Sequence, residues 1–530
     1  MVIKEKVDLE NVLSKFKLSG RYYVKLFALL IFSGVTNAFY SLNYVFAASY
    51  VGYRCKYTEC ENNNNITSSP VNITLKDAKC SRYLLLDKTA GCHAGNVDTS
   101  RIVSCTDWVY EEPQSFVEEL GLECEDWKRT LVGTVHSFGY MIGLLITGPL
   151  ADKIGRKKLI ILFGITAAAM GIGRSLTNSY IVYLTLELVE GLFGDTYSTT
   201  FTLGVEMVTK ENRVTFITLM TASTSLAGIL MAVIAWSLPY WRHFLMAIYA
   251  PSLIFLLYIY FLDESVRWLL IKGKKEEAKV IISNAAKASK VELNSDAMSI
   301  KCESNDSKND LTSSLKSTFG SKKIMLRFLA CGCFWITGIF NKYVLLINSV
   351  ELEGNKYLNF GLTTFSELPA SLALAYVLKK FRRKMPLIFS FMLTGVFCIG
   401  QTLVSKGNPW LSTSLFLVGK FMATISYATV YLYTSEIFPT YTRNTMHALC
   451  SSVGRIASLL APQTPLLIRY WSGLPCVVVG GLSLITSVIV MLMPETSDDI
   501  LPDTARQAEA IGVKTSPTMS TKCEVTCTKF

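Results

Sequence analysis

Three ionisable side chains stand deep inside long apolar runs: Glu367 in SELPASL, Lys420 in LVGKFMA and Arg455 in SSVGRIASLLAP. A charge in the middle of a bilayer costs roughly 2.5–3.5 kcal/mol on insertion scales, so such a group faces a cavity or a partner. Arg455 offers a planar, permanently charged fork that suits a carboxylate. Lys420 is a second cation, and Glu367 could attract a quaternary ammonium. Each could equally be spent on an internal ion pair. Lys342 lies nearer the end of its run, where a lysine can also snorkel to the interface. Trp335, Tyr343, Tyr427 and Tyr431 come from the runs that carry Lys342 and Lys420, and offer ring faces to a cation; helix packing is the plainer role for any one of them. An acid for a cationic end and bases for a carboxylate describe recognition of a small zwitterion. Covalent chemistry is not indicated. The four histidines, His93, His136, His243 and His447, have no zinc-like spacing. No serine elbow, nucleotide loop or pair of catalytic carboxylates stands out. No enzyme, metal or cofactor is expected.

The elements that would hold these residues are helices in lipid. The chain is 50% hydrophobic and only 18% charged. Its apolar residues fall into twelve blocks, near 23–49, 131–150, 159–176, 181–203, 214–236, 243–262, 324–348, 357–377, 386–404, 411–434, 446–469 and 474–493. Each can cross a ~30 Å hydrocarbon core as a helix that closes its own backbone hydrogen bonds. The expected fold is all-α, with twelve transmembrane helices in two six-helix halves. The net charge of +11 does not imply nucleic acid, because the bases gather in alternate short loops, DKIGRKK, KENR and KKFRRK, and in segment 263–323. That pattern puts segment 263–323 and both termini in the cytoplasm. The expected layout is a cytoplasmic 1–22, a first half 23–262 with an extracellular loop 50–130, a cytoplasmic linker 263–323, a second half 324–493 and a tail 494–530. The first 20 residues are charged and the run after them is too long for a signal peptide, so it reads as a retained first helix.

Six of the 14 cysteines lie in loop 50–130: Cys55, Cys60, Cys80, Cys92, Cys105 and Cys124. An even number in an oxidising compartment suggests three disulfides, with the pairing open. Glycosylation sequons in the same loop place acceptors at Asn65 and Asn72. A third, at Asn305, faces the cytoplasm on this topology and should stay bare. The terminal CTKF lacks the aliphatic residues of a prenylation box.

Three sequence pairs recur at nearly constant spacing. Glu206 and Arg213 in GVEMVTKENRVT match Glu436 and Arg443 in TSEIFPTYTRNT, 230 residues on. Glu264, with Arg267 in DESVRW, is matched by Glu495 in MPETSD; ADKIGRK from Ala151 is echoed by LKKFRRK from Leu378. Three repeats in order, each at the same end of a helix, indicate a six-plus-six duplication. Two such halves can rock about a midplane site and expose it to each side in turn. In GPLADKIGRKKL, Gly148 and Gly155 would allow close approach and a tight turn, Asp152 could cap or pair, and Arg156 would hold the loop at the membrane face. Such a loop could close an inner gate with ion pairs that break on rocking.

These residues are also recognisable. GPLADKIGRKK resembles the signature between helices 2 and 3 of the major facilitator superfamily. LPYWR, DESVRWLL, SELPASL, YTSEIFPTYTRN and SSVGRIASLLAP, with CTDWVYEE in the first outer loop, resemble the organic cation, organic anion and carnitine transporters within it. The resemblance runs from about residue 8 to residue 500. It implies a transporter of small organic ions working by alternating access. The cation carriers typically have an acid where this chain has Arg455, whereas the anion and carnitine carriers have Arg. Glu367 matches an acid of the cation and carnitine carriers, and Lys420 matches a GK of the carnitine and anion carriers. Lys342 falls near a position where relatives often have Tyr. Three departures stand out: Val266 replaces the usual Pro, LKKFRRK has lost the acid and glycine of the first copy, and Glu187 stands where many members carry Arg.

A carnitine-like or amino-acid-derived zwitterion is therefore the first expectation for the substrate, an organic anion the second and an organic cation the third. A receptor or scaffold that keeps the fold without transport is the competing class, with Glu187 and the altered second loop in its favour. The expected partners are the small organic ion and the lipid bilayer, and the expected address is the plasma membrane. No intramembrane Asp/His relay is evident, which favours facilitated diffusion or exchange; a coupled ion is not readable.

Overall fold

The computed structural model describes residues 20–57, 79–86, 96–112, 114–209, 211–289, 320–404, 408–439, 442–496, 502 and 505–511. The structure is a bundle of long helices. Ten among the described residues are long and apolar enough to cross a membrane. In the first half these are α1 (Arg21–Leu42), α2 (Asp126–Ile154), α3 (Arg156–Leu176), α5 (Arg213–Ser237) and α6 (Trp241–Tyr249, continued to Phe261). The second half holds α7 (Lys322–Ile347), α8 (Lys356–Phe365 and Glu367–Lys380), α9 (Lys384–Thr402), α10 (Pro409–Ile437) and α12 (Leu474–Leu492).

Two predicted spans are interrupted. The run expected at 181–203 is split into α4a (Tyr180–Phe193) and α4b (Tyr197–Met207). The cause is local: Asp195 accepts the backbone N–H of Tyr197 at 3.1 Å, and Asn37 of α1 accepts those of Thr196 and Tyr197. These carboxylate and amide oxygens satisfy the free donors of a new helix start. The run expected at 446–469 is helical as α11 (Arg443–Leu460) and then tightens into a 3-10 stretch through Pro462 and Pro465. Prolines cannot donate to an α-helical ladder.

Residues 50–130 are not all loop. Strand β1 (Tyr53–Cys55) pairs antiparallel with β4 (Trp108–Tyr110), and β2 (Ser81–Leu85) pairs antiparallel with β3 (Val97–Ser104). Helix α2 begins at Asp126, five residues earlier than expected. Disulfides join Cys55 to Cys105 and Cys80 to Cys124. Cys60, Cys92, Asn65 and Asn72 lie outside the described residues. The segment docks on the first half through Phe116, whose ring lies 5.0 Å from Tyr183 and 5.3 Å from Trp241. Glu119 accepts from Arg242 at 2.6 Å. The stretch expected as a linker from 263 carries helices Val266–Ile271 and Lys275–Ser289.

The halves meet mainly at the end of the bundle that carries this strand segment. There α2 packs on α11 and the 3-10 stretch, and α5 packs on the first part of α8. Thr130 donates to Gln463 at 2.8 Å, and Gln463 donates to Thr134 at 2.7 Å. Arg469 and Asp126 pair at 3.4 Å, and the Phe46 and Phe360 rings meet at 4.9 Å. Gly133 is required here, because a Cβ would strike both Tyr44 and Pro462.

Candidate substrate site and helix clasps

The deep charges come together, and they do so in pairs. Glu367 and Lys420 form an ion pair at 2.9 Å, and Lys420 also donates to the carbonyl of Lys342 at 3.1 Å. Lys420 is fully buried. Such a lysine persists because the carboxylate and the carbonyl replace its water. Lys342 does not snorkel: its ammonium lies over the Tyr427 ring, 5.0 Å from the centroid.

Arg455 is held differently. It is only half-buried, and its guanidinium lies over the ring of Tyr140 of α2 at 5.2 Å, bridging the halves. Tyr343, Tyr427 and Asp195 complete its electrostatic surroundings. No carboxylate lies within ion-pair distance of it among the described residues. Arg455 is twelve residues into α11, about 18 Å along the helix at 1.5 Å per residue. The arrangement holds a planar cation between the halves. Trp335, Tyr427, Tyr431 and His447 form a connected aromatic wall: Trp335 is 5.9 Å from Tyr427 and 5.2 Å from His447, and Tyr431 is 4.4 Å from His447. Trp335 is buried and donates to Thr434 at 3.0 Å, whereas Tyr431 is exposed. Trp335 therefore supports the wall and Tyr431 presents an exposed ring.

The first half carries a buried network that the sequence reading missed. Arg174 of α3 contacts the carboxylates of both Glu187 and Glu190 of α4a. His136 of α2 lies 3.0 Å from Glu187 through Nδ1, and Tyr249 of α6 donates to Glu190 at 2.7 Å. All four ionisable groups are at most 6% exposed. Arg174 of α3 thus answers Glu187 with the opposite charge. The GIGRSL context offered one signal, an arginine in an otherwise apolar run. His136, Glu187 and Glu190 offer ligand atoms within 4.8 Å of one another, a grouping that linear spacing did not reveal. The Arg174 guanidinium already occupies both carboxylates, so these donors do not fit a metal ion.

At the opposite end of the bundle, each half carries the same clasp. Glu264 accepts the backbone N–H groups of Arg156 at 2.9 Å and Lys157 at 3.1 Å. Arg156 pairs with Glu206 at 2.9 Å and with Asp152 at 2.8 Å. In the second half Glu495 accepts from the N–H groups of Arg383 at 3.0 Å and Lys384 at 3.2 Å, and Arg383 pairs with Glu436 at 3.1 Å. Even the lysines match: Lys157 donates to the carbonyl of Ile259 and Lys384 to that of Met491, both at 2.8 Å. Arg213 and Arg443 begin α5 and α11 beside these clasps, and Arg267 lies in the short helix after Glu264.

These pairs of Asp152, Arg156, Glu206, Glu264 and Glu436 each lie within one half, which they brace. One expectation changes here. Gly148 has open space where a Cβ would stand, so close approach does not explain it. Gly155 is required: its φ is +104°, and a Cβ would meet the Glu264 carboxylate.

The sequence profile of the Major Facilitator Superfamily matches residues 119–462. The chain belongs to the major facilitator superfamily. It is similar to the "Organic cation transporter protein" of Drosophila melanogaster, 28% identical with 96% of each chain covered. It is also similar to "Solute carrier family 22 member 3" of Mus musculus, 28% identical over 93% of this chain and 94% of that one. To "Organic cation/carnitine transporter 2" of Homo sapiens it is 27% identical over 92% and 91%. Among solved structures, the partially occluded inward-open conformation of the xylose transporter XylE from E. coli aligns with a TM-score of 0.58 at 15% identity, covering 91% of this chain and 100% of that one. Its inward-open conformation gives a TM-score of 0.57 at 13% identity, over 92% and 99%. These structures share the fold. A multi-pass membrane transporter follows from the family and the helix bundle together.

Proposed function

We propose that the chain carries a small organic ion bearing a carboxylate, either an organic anion or a carnitine-like zwitterion, by alternating access. The single observation that carries this reading is the Arg455 guanidinium between the halves, which has no carboxylate partner among the described residues. Asp195 lies in the surroundings of Arg455 and Glu367 pairs with Lys420, so the three bases Arg455, Lys342 and Lys420 outnumber the two acids. The excess is positive and favours an anionic group. Glu367, the candidate for an ammonium, is engaged by Lys420. That weakens the zwitterion relative to the plain anion. The aromatic wall, with Tyr427 and Tyr431, leaves room for a cationic end to rest on a ring.

In this reading α4a with α4b, and α11, count as spans, giving twelve in two halves at 23–262 and 324–493. The clasp end, rich in Lys and Arg, is cytoplasmic together with both termini and segment 263–323. The strand segment is extracellular, where disulfides persist. The plasma membrane is the proposed address. The halves touching at the strand-segment end then correspond to a state closed to the outside. The substrate would bind Arg455 between the halves, and rocking about the site would carry it across.

An organic cation is the second reading, favoured by the ring faces and by the names of the relatives. The test is uptake, by the full chain at the cell surface, of a labelled aromatic carboxylate, a carnitine-type zwitterion and a tetraalkylammonium, with Arg455→Asp in parallel. Carboxylate or zwitterion uptake that is lost in the variant supports the proposal. Tetraalkylammonium uptake by the unaltered chain overturns it. Surface protein that moves none of the three points to the receptor or scaffold reading.

A further inference from the structure

The buried network of the first half has an unbalanced charge. Arg174 contributes one positive charge, while Glu187 and Glu190 contribute two negative ones. An ionised carboxylate only accepts, so in the 3.0 Å contact Glu187 accepts from Nδ1–H of His136, a bond that a neutral imidazole and an imidazolium can both make. With the ring neutral and both carboxylates ionised, the sum is one uncompensated negative charge with every member buried. A lone charge in such surroundings is strongly disfavoured, and a proton is the cheapest cure. Among the described residues, the groups recorded against the site are uncharged: Tyr40, Asn43 and Tyr44 from α1, Tyr183 from α4a and Tyr249 from α6.

We propose that His136 and Glu187 form a proton-binding site whose occupancy is coupled to substrate movement. This rests on the transport reading above. The proton adds to Nε2 of His136, an N–H bond forms, and the imidazolium pairs with Glu187; nothing else is made or broken. The network is then neutral. The same proton leaves by the reverse step on the other side of the membrane.

Helix α2 supplies the link. Tyr140, which carries Arg455, lies one helical turn from His136. Thr134 and Gly133, on the other side of His136 along α2, touch Gln463 and Pro462 of the second half. The Tyr44 ring lies 6.1 Å from the His136 ring and also packs on Gly133. Opening that contact withdraws Pro462 from Gly133, about one helical turn from His136, and changes the surroundings of the network on that side. Proton affinity then differs between the two conformations, which is the requirement for coupling. A proton at His136 also adds positive charge one turn from Tyr140, whose ring faces Arg455. The coupling is therefore symport of a proton with an anionic or zwitterionic substrate.

The test uses the full chain in lipid vesicles with the three solutes named above. An acidic outside should raise carboxylate or zwitterion uptake at least about fivefold, and a protonophore should abolish the rise. His136→Gln and Glu187→Gln should lose this response, so that the ratio of gradient-driven uptake to exchange at equal pH collapses. A wild-type chain that exchanges solute but ignores the gradient overturns the proposal. So does a response retained by both variants, or one that follows sodium at constant pH. If the wild-type chain moves no solute, the transport reading fails first. The site is then judged by infrared titration of the full chain in nanodiscs from about pH 5 to about pH 8. A titrating group absent from the double variant supports the proton site, and identical titrations overturn it.

Discussion

Glu264 and Glu495 hold equivalent places in the two halves: each carboxylate accepts two successive backbone N–H groups at the start of a helix to which it does not belong. A carboxylate at a helix N-terminus satisfies free donors and meets the positive end of the helix dipole. The second-half loop has lost the acid and glycine of the first, yet its arginine, its lysine and its capping acid keep the same contacts. The duplication therefore survives as geometry where the sequence has drifted.

Replacing Glu264 or Glu495 by Ala should cost about 1–2 kcal/mol of stability each, as for loss of a helix cap. Thermal unfolding of the purified chain checks this. The two losses should be similar, and Gly155→Ala should add strain of its own because of its positive φ.

Breaking the Glu367–Lys420 pair from one side should be severe. Glu367→Gln leaves the fully buried Lys420 facing only a carbonyl, and losing one partner of a buried pair costs about 3–5 kcal/mol. Glu367→Gln with Lys420→Met should be milder than either single change. A double-mutant cycle on thermal stability and surface expression reads the coupling.

Arg455→Lys should keep the charge but lose the fork. A carboxylate substrate should then bind roughly tenfold to a hundredfold more weakly, the equivalent of a charged hydrogen bond. Arg455→Asp should abolish its uptake. The KM and kcat of the Lys variant separate binding from turnover.

The contact between α5 and α8 should act as a closure. A Cβ at Gly361 would stand 3.9 Å from that of Ala232, a separation suited to a disulfide. Oxidising Gly361→Cys with Ala232→Cys should stop transport, and reduction should restore it. Single-cysteine variants should be indifferent to the oxidant. Continued flux through the cross-linked protein would show that this contact does not open.

Much of this was legible in the chain because lipid enforces simple rules. Apolar blocks and the placement of bases marked the helices, and repeated acid–arginine spacings marked the clasps. The breaks in α4 and after α11 were not legible, because they depend on Asn37 capping from another helix and on prolines inside an apolar run. Residue type showed that Arg455, Lys420 and Glu367 must lie against something, but not which pair would neutralise itself. Sequence distance hid the His136 network: its members lie on four helices, and of them only Glu187 stood out in the chain.

The contact that closes the strand-segment end has an electrical consequence. Thr130, Thr134 and Gln463 are neutral, and Arg469 with Asp126 adds to zero. Parting these residues moves no net charge through the membrane field, in which a full unit charge is worth about 2.3 kcal/mol per 100 mV. Voltage therefore has little grip on the seal itself. Its grip is on Arg455, on Lys342 and on whatever the cargo carries, so a current recorded during transport would count the charge of the cargo and its companions directly.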